Sequence, residues 1–154
     1  MSQKTMELYI HIPFCVKKCQ YCDFLSFAAD EATQAAYVEA LLREIAYYGP
    51  HCSDYLVSTV YIGGGTPSWL TEEWMAQIMS AVRRLASDAE ISIECNPGTV
   101  TDHKFAVYRN AGINRISIGL QSAVDEELKI LGRIHTFDQF LKTYELARKN
   151  GFDN

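Results

Sequence analysis

The stretch ELYIHIPFCVKKCQYC, Glu7 to Cys22, decides how this chain is read. A short run of β-branched and aromatic residues, ELYIHI (Glu7–Ile12), ends in proline and reads as a strand. The three cysteines therefore sit in the loop that leaves the strand's C-terminal end. Their spacing, Cys15-x3-Cys19-x2-Cys22, is not that of a structural zinc site, which wants four ligands and commonly takes them in CxxC pairs. His11 could supply a fourth ligand from the strand, whereas Cys52 and Cys95 are distant and lack the spacing. A cubane iron–sulfur cluster bound by thiolates is the better match. With three protein ligands, one iron stays open to a substrate or cofactor. The missing thiol is then the site's working feature.

Outward from this stretch, strands and helices alternate. Asp30 caps a helix to Tyr48 that carries Tyr37, Val38, Leu41, Leu42 and Ile45 at helical spacing, and Gly49-Pro50 stops it. LVSTVYI (Leu56–Ile62) is a second strand, broken by Gly63-Gly64-Gly65. Thr71 caps the next helix, with Met75, Ile78, Met79, Val82 and Leu85 on its apolar face. EISIEC (Glu90–Cys95) is a third strand, ended by Asn96-Pro97-Gly98; a short helix from about Asp102 to Asn110 follows. NRISIGLQ (Asn114–Gln121) is a fourth strand, and Asp125–Gly132 and Phe137–Asn150 are helical. Consecutive β/α units imply an α/β fold with a parallel sheet and right-handed crossovers. Four units cannot close an eight-stranded barrel of about 250 residues. The chain stops at GFDN, where another strand is due, so residues 1–154 are expected to be the N-terminal portion of a larger barrel enzyme. A small doubly wound domain of four strands is the alternative.

The totals set limits. A chain of 154 residues, 48% hydrophobic and 21% charged, builds one domain with a real core. A net charge of −5 gives no reason to expect nucleic acid, which demands a basic face. No apolar run approaches the roughly 18 residues of a membrane span. The opening residues lack the apolar core and cleavage site of a signal peptide. Five cysteines, three of them clustered, argue against a disulfide framework and for a reduced, cytoplasmic compartment with metal-bound thiolates.

CxxxCxxC in the loop after the first strand resembles the radical S-adenosylmethionine (SAM) enzymes. YIHIPFCVKKCQYCDF, YIGGGTPSWL, ISIECNPGT, RISIGLQS and LKILGRIHT together resemble the oxygen-independent coproporphyrinogen III oxidase family, over Tyr9 to Phe152. The resemblance implies a partial TIM barrel with Cys15, Cys19 and Cys22 on a [4Fe-4S] cluster. SAM would chelate the open iron, and electron transfer into its sulfonium would release methionine and a 5′-deoxyadenosyl radical. It further implies that Gly64, Gly65 and Thr66 meet the methionine part of SAM, that Tyr9 contacts SAM, and that Tyr21 lies beside the adenine. Glu94 and Gln121 go to SAM's polar groups, Gln121 near the ribose, and Arg133 pairs with the SAM carboxylate.

From the residues alone, GGGTP is a glycine turn whose backbone N–H groups can approach a ligand without side-chain obstruction. A P-loop is excluded because no Lys-Ser/Thr follows. Tyr9 alone reads as a core aromatic and Arg133 as a solvated surface residue. Glu94, late in an apolar strand, needs a polar partner, since burying an unpaired charge is costly. A helix N-terminus or an arginine is the simplest partner for it.

Within the resembled family, oxidases carry a further cysteine two residues after the third. Phe24 stands there, as in relatives regarded as haem chaperones. The resemblance thus implies a protein that binds haem or a porphyrin and passes haem to an acceptor protein, with a reducing electron donor such as flavodoxin. Oxidative decarboxylation of coproporphyrinogen III is the enzymatic alternative. A departure from the family, Ala123-Val124 after Gln121-Ser122, affects packing near the ribose. A third reading, from another class, is a non-catalytic zinc-stabilised module using Cys15, Cys19, Cys22 and His11.

Overall fold

The structure, a computed structural model, describes residues 4–154. Four parallel strands, β1 (Lys4–Ile12), β2 (Tyr55–Gly64), β3 (Glu90–Cys95) and β4 (Arg115–Ile118), form one sheet in the order β1-β2-β3-β4. Five α-helices alternate with them: α1 (Glu31–Tyr48), α2 (Glu72–Val82), α3 (Asp102–Asn110), α4 (Asp125–Ile130) and α5 (Phe137–Lys149). Sequential strand order decides between the two expected architectures. A doubly wound sheet reverses direction at a switch point and carries helices on both faces. Right-handed crossovers that only ever step forward put every helix on one face, which is the geometry of a barrel arc.

Burial follows that arrangement. Ile10, Ile12, Val60, Ile62, Ile91, Ile93 and Cys95 lie under the helix layer with Met75, Ile78, Met79, Val82, Phe105 and Tyr108. α1 packs on α2, α2 on α3, and α3 on α5. The opposite face of the sheet carries Tyr9, His11, Tyr61, Ser92, Glu94, Arg115 and Ser117, a polar concave surface that the alternation of strand side chains creates.

The helix starts are where side-chain caps place them. Asp30 accepts from Thr33 N, Thr71 from Trp74 N, and Thr101 from Lys104 N. Thr136 and Gln139 close a reciprocal capping box on α5. β1 starts at Lys4, three residues before the strand read from sequence, and two strands end elsewhere than expected. β2 continues through Gly63 and Gly64, which pair with His11 and Ile12, because glycine weakens a ladder without forbidding it. β4 stops at Ile118, since Gly119 N donates to Cys95 O and the chain then turns through Gln121 at φ 68°.

His135, after α4, is buried, with Nε2 3.1 Å from the Leu120 carbonyl. Burial holds its imidazole below the usual histidine value. As pH falls through about 6.5, the unfolded chain takes up this proton while the folded chain resists it. Stability is therefore insensitive to His135 above that pH and declines below it, through the depressed folded value. Denaturant midpoints measured from neutral to mildly acidic pH should show this decline, and His135→Gln should flatten it.

Candidate functional site

All four strands point their C-terminal ends at one cavity of about 250 Å³. Its lining includes Cys15, Cys19, Tyr21 and Cys22 from the loop after β1, and Gly64, Gly65 and Thr66 from the end of β2. Glu94 comes from β3 and Asn96 from the turn after it, Gly119 and Gln121 from the segment after β4, and Arg133 from the segment after α4. The fold thus brings together residues spread over 118 positions (133 − 15) and all but one of those named from sequence. Tyr9 is the exception. It lies on the polar face of β1 outside this cavity, its ring stacked on Tyr61 at 6.3 Å between centroids.

The cysteine loop is anchored before any cofactor is considered. Phe27 N donates to Pro13 O at 2.9 Å and Cys15 N to Phe27 O at 3.0 Å, pinning the loop's two ends together. Lys18 Nζ reaches Phe24 O at 2.9 Å, and Gln20 N ties the loop to Leu131 O at 3.2 Å. His11 Nε2 lies 2.9 Å from Leu25 O and Nδ1 lies 3.1 Å from the Tyr9 hydroxyl. A carbonyl only accepts, so Nε2 carries the proton and Nδ1 accepts from Tyr9. Both ring nitrogens are spent, which leaves the zinc module without its fourth ligand. Among the described residues, no three His, Cys, Asp or Glu side chains converge on a single-ion site. A four-iron cubane spreads its thiolates over separate irons and makes no such demand.

The N–H groups of the glycine run are engaged within the protein. Gly64 N donates to Glu94 Oε2 at 3.0 Å, Gly65 N to Ile12 O at 2.8 Å, and Thr66 N to Phe14 O at 2.7 Å. These N–H groups are satisfied inside the protein and do not form an anion cradle. Glycine is needed for close approach instead. A Cβ on Gly65 would stand 2.7 Å from Phe14 O and 3.0 Å from Cys15 Sγ, and Gly64 sits at φ +119° against His11. Because the first obstruction is backbone, Gly65→Ala should destabilise the chain by roughly 1–3 kcal/mol, as overpacking does. A thermal melt several degrees lower than wild type, with reduced iron uptake, would show it.

Glu94 finds partners other than the expected helix terminus or arginine. Tyr61 OH donates to Oε1 at 2.9 Å while Gly64 N holds Oε2. Burial, and then this hydrogen bond, raise the Tyr61 phenol above its ordinary value, so it stays a donor. The carboxylate keeps further lone pairs facing the cavity. Tyr21, half-exposed on the rim, has its phenol raised by burial, with the Arg133 guanidinium pulling the other way.

Arg133 is no surface residue. Nη2 donates to Asn96 Oδ1 at 2.7 Å and to Gly119 O at 3.1 Å, and Nη1 lies 3.6 Å from Cys19 Sγ. Its Nε is buried with no partner, one of two such orphans among the described residues. A buried unpaired guanidinium donor is costly, and an anionic ligand in the cavity would relieve it. Gln121 adopts the left-handed conformation that non-glycine residues rarely take, a strain typical of ligand sites. Three thiols, a charged donor short of an acceptor and an open cavity fit a three-thiolate iron–sulfur cluster and a carboxylate-bearing ligand.

Asn96 is the residue that sequence reasoning passed over, as part of a turn. It bridges Arg133 and Thr66. Its position at the C-terminal end of a parallel strand was the available signal. Below it, buried Lys104 donates to Ser68 O at 2.8 Å, and burial lowers its amine's pKa. Burial pushes the Cys95 thiol up to about 12, so it stays protonated at the cavity wall.

The radical SAM superfamily model matches residues 9–154, and this chain belongs to that superfamily. Its members generally carry a [4Fe-4S] cluster and SAM, the pair that the site's residues fit. Among individual proteins, the chain is 47% identical over 146 residues to the heme chaperone HemW of Escherichia coli, covering 92% of this chain and 39% of that protein. It is 35% identical over 150 residues to the heme chaperone HemW of Bacillus subtilis, covering 95% and 40%. A Bos taurus protein named radical S-adenosyl methionine domain-containing protein 1, mitochondrial, is 36% identical over 151 residues, covering 96% and 34%. Among solved structures, the radical SAM enzyme coproporphyrinogen III oxidase (HemN) of E. coli superposes with a TM-score of 0.88 at 31% identity, covering 98% of this chain and 36% of that one. The chain thus spans about two fifths of the curated relatives' length. No helix among the described residues is long and apolar enough to cross a membrane.

Proposed function

We propose that residues 1–154 are the N-terminal portion of a radical SAM core in a haem-handling protein. This protein captures haem and passes it to an acceptor protein in a reducing, cytoplasmic compartment. The observation that carries the reading is the single cavity joining the three thiols to Arg133 and its unpartnered Nε. Cys15, Cys19 and Cys22 each hold one iron, and Arg133 takes the SAM carboxylate. Gln121 and Tyr21 hold the ribose and adenine side, while Gly64, Gly65 and Thr66 wall the methionine part. Glu94 meets SAM's polar groups from a position that Tyr61 and Gly64 fix. Tyr9 supports the site indirectly, through His11 and Tyr61.

When bound, the cluster and SAM supply one-electron chemistry, fed by a donor such as flavodoxin. The chain's own residues orient SAM's polar end and hold the cysteine loop in one conformation.

Two observations support haem transfer over decarboxylation of coproporphyrinogen III. Curated relatives at 35–47% identity are named heme chaperones. Phe24, two residues after the last cluster cysteine, is exposed at the cavity rim and offers no thiol. The full-length protein, reduced with dithionite and given SAM, should bind haem and release it to an apo acceptor, with no carbon dioxide from coproporphyrinogen III. Release of carbon dioxide from its propionates would establish the oxidase instead.

A further inference from the structure

Asn96 joins the two halves of the site through one side-chain amide. Its Nδ2 donates to Thr66 Oγ1 at 2.9 Å, and Thr66 Oγ1 in turn donates to Cys15 Sγ at 3.5 Å. Its Oδ1 accepts from Arg133 Nη2 at 2.7 Å, and Arg133 Nη1 points at Cys19 Sγ at 3.6 Å. The direction of this chain is set by chemistry. A guanidinium only donates, so Oδ1 faces Arg133 and Nδ2 faces the threonine, whose own proton is then free for the sulfur. The backbone of Asn96 is held as well. Its N–H donates to Ser68 Oγ at 3.2 Å, and its carbonyl accepts from Thr99 N at 3.1 Å and Thr99 Oγ1 at 2.7 Å. The amide is thus locked in place from behind, and through Thr66 and Arg133 it directs one donor at each of two thiols of the cysteine loop, Cys15 and Cys19.

We infer that Asn96 is a positioning residue that sets the reduction potential of the cluster by orienting Thr66 and Arg133 toward the sulfurs of Cys15 and Cys19. The inference rests on the proposal that these cysteines hold a [4Fe-4S] cluster. Hydrogen bonds and positive charge at cluster sulfurs stabilise the more negative, reduced state and raise the potential. Without the amide, Thr66 loses the donor that fixes its hydroxyl as a donor to sulfur, and the guanidinium loses its shortest anchor. Both effects lower the potential.

The test is an anaerobic redox titration of the full-length reconstituted protein, followed by the reduced cluster's EPR signal. Wild type must first bind about four irons in a Cys19-dependent way; if it does not, the cluster reading fails and not this one. Asn96→Ala should keep its iron while its reduction equilibrium constant falls about tenfold, ~59 mV for one electron. Thr66→Val should reproduce part of the shift, and the double variant should shift by less than the sum, since the two act on one chain of contacts. If Asn96→Ala fails to hold its cluster, Asn96→Ser, too short to span both partners, carries the same expected shift. Iron-replete Asn96→Ala or Asn96→Ser at the wild-type potential would overturn the inference, as would strictly additive shifts with Thr66→Val.

Discussion

Cys19→Ala should take the anaerobically reconstituted protein from about four irons per chain to less than one, with loss of its broad brown absorption. In the proposed cluster each of the three thiols would be the sole protein ligand of one iron, so the loss of one would leave that iron without a thiolate. Cys95 is buried on the helix side of β3, and Cys52 ends the short helical turn Gly49–Cys52 before β2, at the opposite end of that strand from the site. His11 is held by Leu25 and Tyr9. The same experiment separates the metals. A zinc module would keep or lose zinc on this substitution and would be colourless throughout. Iron and sulfide counts beside zinc by mass spectrometry read both outcomes.

Arg133→Leu should weaken SAM binding by about 10- to 150-fold, the equivalent of the roughly 1.5–3 kcal/mol typical of a hydrogen bond to a charged group. The side chain lines the cavity, anchored by Asn96 and Gly119, and its Nε is buried and unpartnered, so an acceptor that reached it would gain a hydrogen bond to a charged group. Arg133→Lys keeps the charge and loses the planar fork, and should fall between the two. Equilibrium dialysis on iron-replete protein measures this directly. Unchanged SAM affinity in Arg133→Leu would remove the arginine from the binding account.

Much of the fold was legible because its signals are local. Asp30, Thr71 and the run Glu90–Cys95 mark element ends through their own side chains or pattern, and the structure places those ends there. The two strand-end differences arise where backbone geometry overrides residue type. Gly63 and Gly64 stay in the ladder because β1 lies alongside, and β4 ends early because Gln121 turns left-handed.

The site was legible as a set of residues more than as a mechanism. The cysteine spacing and the strand-end positions led to one cavity. The packing of the glycine run did not follow, since the N–H partners of Gly64, Gly65 and Thr66 are Glu94 Oε2, Ile12 O and Phe14 O, thirty to some fifty residues away. Tyr61 as the partner of Glu94 and Asn96 as the partner of Arg133 are contacts of the same long-range kind. One sequence, without the fold, carries no sign of them.

Three thiols where four are common would leave one iron of a cluster open to SAM. The most direct measurement is the low-temperature EPR spectrum of the reduced full-length protein, recorded with and without SAM. The expected result is a four-iron cluster signal that changes shape on adding SAM and saturates at one SAM per cluster. A cluster signal indifferent to SAM, or a protein that binds zinc and gives no cluster signal, would contradict it.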